Sequence, residues 1–270
     1  MGPPRIECYD PNSECYDRAS TRERLSMPAQ RGYRQACGIA RGLDIVGERW
    51  SLLVVRELLL GPKRFTDLQQ ALPTASPNAL SDRLRELADA GVVRRRQLPP
   101  PGNVRVYELT AWGRGLEPIV VALGTWALAA PPTAEQLFVS ADSAMLAIRT
   151  YFVPTPQRPG ATLRIELRDH GPAGVFGVRF TPAGAEIAHE PPEEPDAVLI
   201  TTTDALLAAF GDDDLAGLVA AGAAIIGDPE AVRRLLAAVH VPAPTESTRN
   251  RQLRSTEADR RPPDRARNVT

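Results

Sequence analysis

The sequence predicts an α+β protein made of two unlike domains. The first is helix-rich and ends in a β-hairpin. In the second, strands come before helices. Three observations predict this. Apolar residues recur at helical spacing from residue 37 to 90, and two short alternating segments follow around a Pro/Gly/Asn turn. Beyond Pro131-Pro132 the texture inverts to strand-like runs followed by short helices. The charge is also divided. Residues 31–130 carry 14 basic and 9 acidic side chains, net +5, whereas residues 131–244 carry 7 and 15, net −8, beneath an overall charge of only −1. A basic half beside an acidic half suits a chain whose first half alone meets a polyanion; charge scatter on two solvated surfaces is the alternative.

Each element has a local cause. Ile39, Leu43 and Val46 have helical spacing. Trp50 to Leu60 reads as a largely buried helix stopped by Gly61-Pro62. Thr66 and Gln69 form a T-x-x-Q capping box that opens a short helix through Leu72. Ser76-Pro77 opens the next helix, which runs to Ala90 and ends at the C′ glycine Gly91. Val92–Leu98 and Val104–Leu109 read as two strands of a hairpin, and Thr110 caps a helix carrying Leu116, Ile119, Val120, Leu123 and Trp126. The second domain opens with a helix from Ala134 to Tyr151. Strands follow at 162–167, 174–180, 185–188 and 197–202. Short helices come next at 204–210 and 215–220, then a strand at 223–226 and a helix from Asp228-Pro229 to about 239. The expected domains are therefore 31–130 and 133–242, flanked by polar, disordered tails at 1–30 and 243–270.

Several classes are excluded or left without support. No run of 18 apolar residues is present, so no membrane span is expected. Cys8, Cys15 and Cys37 form neither a disulfide framework nor a zinc-ligand spacing, which fits a reducing cytoplasm. His170, His189 and His240 are isolated, and no nucleophile elbow, P-loop or H-E-x-x-H occurs. Asp212-Asp213-Asp214 reads as a solvated loop or a helix start rather than a cation site. No enzyme, metal or cofactor is expected.

The chemistry lies in the basic domain. Helix, short helix, turn, helix and hairpin is the order of a winged helix-turn-helix, which lays one helix in the major groove of duplex DNA. In the helix 76–90, Leu80, Leu84 and Leu87 share the inward face. Asn78, Ser81, Asp82, Arg85 and Asp89 then point outward, with Arg83 at the border. Asn suits adenine and Arg suits guanine. A solvated amphipathic helix would show the same face, but the hairpin beside it carries Arg94, Arg95, Arg96 and Arg105. Alternation sets Arg94 and Arg96 on one face and Arg95 on the other. The candidate DNA-binding residues are Lys63, Arg64, Ser76, Asn78, Ser81, Arg83, Arg85, Arg94, Arg96 and Arg105.

Cys37-Gly-Ile-Ala-Arg-Gly-Leu-Asp-Ile-Val-Gly-Glu-Arg-Trp50, Arg56–Leu68, Ser76–Leu87, Ala90–Val93 and Tyr107–Thr110 together resemble the HxlR-type regulators, relatives of the MarR group. The resemblance covers about 37–128. It implies a homodimer with one wing per subunit and a pseudo-palindromic operator on double-stranded DNA. Cys37 matches a cysteine that senses oxidants in some members; a small packed residue is the other reading. Residues 135–242 resemble more loosely the sterol carrier protein 2-like domain, through Leu163–Leu167, Pro195–Leu207 and Ala223–Leu236. That likeness implies a small α+β fold with an apolar groove between sheet and helices, able to hold a lipid-like molecule. The reading is thus a dimeric transcription regulator, a repressor, tuned by an apolar effector or by thiol oxidation. A lipid carrier whose winged helix mediates protein contacts is the alternative.

Overall fold

The computed structural model describes residues 32–99, 104–128, 138–155, 159–211 and 214–242. The chain divides into two compact units, residues 1–48 and 49–270. The expected tails, the hairpin tip at 100–103 and the expected helical residues 134–137 lie outside the described residues.

In the first unit, α1 (Gly38–Val46) starts where the Cys37 sulfur accepts a hydrogen bond from the Ala40 amide at 3.3 Å. It ends where the Gly47 amide returns to the Leu43 carbonyl.

In the second unit, α2 (Ser51–Leu58) begins after Trp50, which adopts a left-handed φ of 77° beneath the Arg49 guanidinium. α3 (Phe65–Ala71) is capped differently from the expected Thr66/Gln69 box. The Asp67 carboxylate accepts from the Arg64 amide at 2.9 Å, while the Gln69 amide donates to the Ala75 carbonyl at 2.7 Å. A charged acceptor in the third helical position outcompetes a neutral one for the helix's free N–H groups. α4 (Pro77–Asp89) starts as expected, with Pro77 in its first turn and Ser76 Oγ accepting from the Ala79 amide. It ends in a Schellman arrangement: Gly91, at φ 76°, donates to the Ala88 carbonyl and Val92 donates to the Leu87 carbonyl.

β1 (Val93–Gln97) and β2 (Arg105–Leu109) form an antiparallel hairpin with Val93 opposite Leu109. Thr110 ties this hairpin to α4 by donating its hydroxyl to the Gly91 carbonyl at 2.7 Å. The single helix expected after Thr110 is two, α5 (Ala111–Arg114) and α6 (Glu117–Leu128). Pro118 stands in the first turn of α6, where its missing N–H breaks no helical bond. Gly113 is required: a Cβ there would sit 2.1 Å from the Val92 carbonyl oxygen.

The C-terminal region opens with α7 (Ala141–Tyr151), capped by Ser140. β3 (Ala161–Leu167), β4 (Val175–Thr181), β5 (Gly184–Ala188), β6 (Ala197–Thr201) and β7 (Ala224–Gly227) form one sheet in the order β5-β4-β3-β6-β7. The β3–β6 pair is parallel and the other pairs are antiparallel. A 3₁₀ stretch (Arg168–Gly174) joins β3 to β4. α8 (Thr203–Ala208), α9 (Leu215–Ala220) and α10 (Pro229–Leu236) complete the α+β fold. Asp214 caps α9 through the Gly217 amide, as a helix-start reading of the Asp run requires. Leu163, Ile165, Leu167, Leu199, Leu206, Leu235 and Leu236 are all buried in one cluster, which Leu60 of the helical region also joins. These side chains therefore pack on one another as core. The apolar groove implied between sheet and helices is not what they form.

Candidate nucleic-acid interface

α4 buries Leu80, Leu84 and Leu87 completely and exposes Asn78, Ser81, Asp82, Arg85 and Asp89. The outward face is therefore the one the leucine phase predicts. Arg85 holds Asp82 at 2.8 Å one turn away, and both side chains are more than half exposed, so the pair can exchange for a ligand at little cost. Arg83 is only 12% exposed and pairs with Glu86 on its own helix. It stiffens α4 more than it presents charge. Ser76 is exposed but spends its hydroxyl oxygen on the helix cap.

The hairpin divides its arginines between two faces. Arg94 and Arg96 share one carboxylate, Glu108, at 2.7 and 3.1 Å. Glu108 is 7% exposed, but the two arginines remain 64% and 47% exposed. Each guanidinium carries five N–H donors in a fixed fork. A single contact to Glu108 leaves donors on each for a second anion. Arg95 lies on the opposite face over the Tyr107 ring, 5.2 Å from its centroid. Arg95, Arg105, Tyr107 and Phe65 line a concavity of about 560 Å³ on the Arg95 side of the hairpin. Sequence reasoning missed Glu108, although it stands directly opposite Arg94 in the register. Arg64 is exposed at the start of α3.

Lys63 corrects the expectation of a phosphate contact. It is only 7% exposed. Its backbone exchanges two hydrogen bonds with Tyr107, at 3.0 and 2.7 Å, as an isolated antiparallel bridge beside β2. Its ammonium lies 2.7 Å from Asp142 in the first turn of α7. Asp142 also binds the His189 ring at 2.9 Å, and that ring lies against Phe176. Burial pushes the Asp142 carboxyl up, but the His189 hydrogen bond and the Lys63 charge outweigh it and hold the group below the usual aspartate value. A second tie lies beside the first: Ser140 donates to the buried Glu57 of α2 at 2.7 Å. No spacing in the sequence joins residues 57, 63, 140, 142 and 189; only the fold does.

A cavity of about 510 Å³ opens among α2, α6 and α7, lined by Leu52, Leu53, Val120, Leu123, Leu146 and Tyr151 with Arg56 at its side. Cys37 is exposed, which removes the reading of a residue packed beneath α1. Among the described residues no group of His, Cys, Asp and Glu is placed to hold a metal, and no helix is long and apolar enough to cross a membrane.

A short helix, a turn, a helix with a free polar face and a basic hairpin braced by the bridge at Lys63 define a winged helix-turn-helix domain of the nucleic-acid-binding kind. The chain belongs to the HxlR-like helix-turn-helix family, whose profile matches residues 45–133. The uncharacterized HTH-type transcriptional regulator YvaP of Bacillus subtilis (strain 168) is 40% identical over 87 residues, which is 32% of this chain and 81% of YvaP. The HTH-type transcriptional regulator YodB of the same organism is 34% identical over 84 residues, 31% of this chain and 75% of YodB. A solved structure of the redox regulator HypR in its oxidized form matches at 30% identity over 36% of this chain and 100% of that one, with a TM-score of 0.34. The family profile ends at residue 133, before the five-stranded sheet begins.

Proposed function

We propose that the protein is a dimeric, sequence-specific repressor that acts in the cytoplasm on a pseudo-palindromic operator. The observation that carries this reading is the exposed polar face of α4 beside the exposed arginines of the hairpin. In this assignment Asn78, Ser81 and Arg85 meet base edges, with Ser76 and Arg83 shaping the helix that presents them. Arg64, Arg94, Arg96 and Arg105 meet phosphates. Arg95 joins them beside Arg105, on the face of the hairpin opposite Arg94 and Arg96. Dimerisation is supported by α6, which buries none of its residues and leaves Ile119, Leu123 and Trp126 exposed. A second copy covers this stripe.

An apolar effector fits the cavity among α2, α6 and α7 rather than the packed sheet–helix core. Its volume falls within the range that takes a small ligand. Occupancy there shifts DNA binding by preferring one dimer geometry. Cys37 is a second input: its sulfur is exposed at the start of α1 and open to oxidants.

The deciding experiment selects binding sites from a random duplex pool with the full chain. Affinity for the selected site and for random duplex is then measured from low to high salt. Enrichment of a two-fold-symmetric site with a steep inverse salt dependence is the expected result. No enrichment, with salt-independent retention, would return the chain to the lipid-carrier reading, which extraction of bound lipid would then have to support.

A further inference from the structure

We propose that Asp142 is a positioning residue for the DNA-binding hairpin: through its ion pair with Lys63, the C-terminal region sets where the wing stands. The proposal rests on the DNA-binding reading above and extends it to the part of the chain beyond the family match.

Lys63 joins the two regions. Its main chain makes a single antiparallel bridge to β2, bonded in both directions to Tyr107. Its side chain is held from the other side by a carboxylate 79 positions away. A shift of α7 therefore moves the segment that bridges β2. Asp142 is itself fixed. His189, just beyond β5, binds its second oxygen, and Asp142 lies in the turn that Ser140 caps. Ser140 also grips Glu57 of α2, so the first turn of α7 touches the helical region at two separate polar points. The charged and titratable groups that meet here are Lys63, Asp142, His189, Glu57 and, paired to Glu57, Arg56.

An ion pair between two buried groups is a poor way to gain stability, because apolar residues of similar volume often do as well or better. What it provides that apolar packing does not is direction: one short, oriented bond holds Lys63, and with it the bridge to β2, in register and angle. From Lys63 the path to the DNA-facing charges is short. Tyr107 stands opposite Arg95, and its neighbour Glu108 holds Arg94 and Arg96. A displaced β2 therefore moves all three arginines together.

The test uses the full-length chain and three forms: wild type, Asp142→Asn, and the double variant Lys63→Met/Asp142→Leu. The double variant removes both charges and keeps an apolar junction that can fold. Two quantities are read. One is amide hydrogen exchange across residues 93–97 and 105–109. The other is the affinity for a selected operator and for a random duplex. In both variants the wing amides are expected to exchange about tenfold faster. Affinity for both duplexes falls alike, about tenfold, while exchange in α4 and in β3–β6 stays at wild-type rates. Wild-type wing exchange in the folded double variant overturns the proposal and reduces the pair to a structural contact. Should Asp142→Asn fail to fold, the double variant decides. Should the wild-type chain select no operator, the DNA-binding reading fails, and wing exchange, which needs no DNA, still decides this one.

Discussion

Two buried carboxylates, Glu108 in the wing and Asp142 in α7, each take two basic side chains as partners, and the two sites behave in opposite ways. Around Glu108 only the carboxylate is hidden, and Arg94 and Arg96 reach solvent with donors to spare. Around Asp142 the cation is hidden as well, the Lys63 side chain being 8% exposed. In the wing the carboxylate gathers charge and presents it. At the junction it consumes the charge. A lysine or arginine near a helix-turn-helix is thus a DNA contact or an internal tie according to where its head group ends. What decides is whether a long-range carboxylate lies within reach.

Mutations should separate the two sites most sharply in stability. Lys63→Ala leaves Asp142 buried with only His189 beside it. Loss of one partner of a buried pair is expected to cost about 3 kcal/mol in urea-unfolding free energy. Arg94→Ala leaves Glu108 with Arg96 at the surface and should cost less than about 1 kcal/mol. Equal costs would break the contrast.

The next effect is in recognition. Asn78→Ala and Arg85→Ala should each lower discrimination between operator and random duplex by about 1–3 kcal/mol, measured by fluorescence anisotropy, with unfolding unchanged. Equal weakening on both duplexes would confine these residues to the backbone.

A smaller, sequence-independent effect belongs to the wing. The double variant Arg94→Ala/Arg96→Ala should weaken binding to every duplex alike and reduce the log–log salt slope by up to about 1.8, at about 0.9 per phosphate contact.

Much of the wing was legible because its logic is local. Leucine phase gave the inward face of α4, Ser76-Pro77 and Gly91 gave its ends, and alternation placed Arg94 and Arg96 together. Short-range choices among near-equivalent signals were harder. The cap of α3 passed from Thr66 and Gln69 to Asp67, and one expected helix became α5 and α6 around Gly115. The junction was not legible at all. Lys63 and Asp142 are joined only once α7 is placed, and His189 looks isolated until β5 brings it alongside. The same holds for the cavity. Apolar strand residues suit a groove or a solid core equally well in sequence; here they fill the core, and an open space falls among α2, α6 and α7, which no single segment announces.

Acid gives the mildest test, because opposing influences act on Asp142. Burial raises its carboxyl, while His189 and Lys63 lower it, and the net result lies below the ordinary aspartate value. A carboxyl whose folded value is depressed contributes stability that is fully present above its unfolded value, about 3.9, and is lost as pH falls through the lower folded value. The unfolding free energy of the wild type should therefore decline between about pH 5 and pH 3 more steeply than that of Asp142→Asn, which has no proton to take up at this position. Asp196, whose carboxyl is held low by the Thr162 amide and hydroxyl at the edge of β3, contributes acid sensitivity to both forms alike. The informative quantity is thus the difference between the two curves. Wing amide protection, taken relative to the intrinsic exchange rate at each pH, should fall with acid in the wild type and stay flat in Asp142→Asn, since protonating Asp142 releases Lys63 from its anchor. Parallel unfolding curves would mean that the Asp142 charge does nothing for the fold. A difference in stability without a difference in wing exchange would mean that the charge holds the junction together and leaves the wing alone.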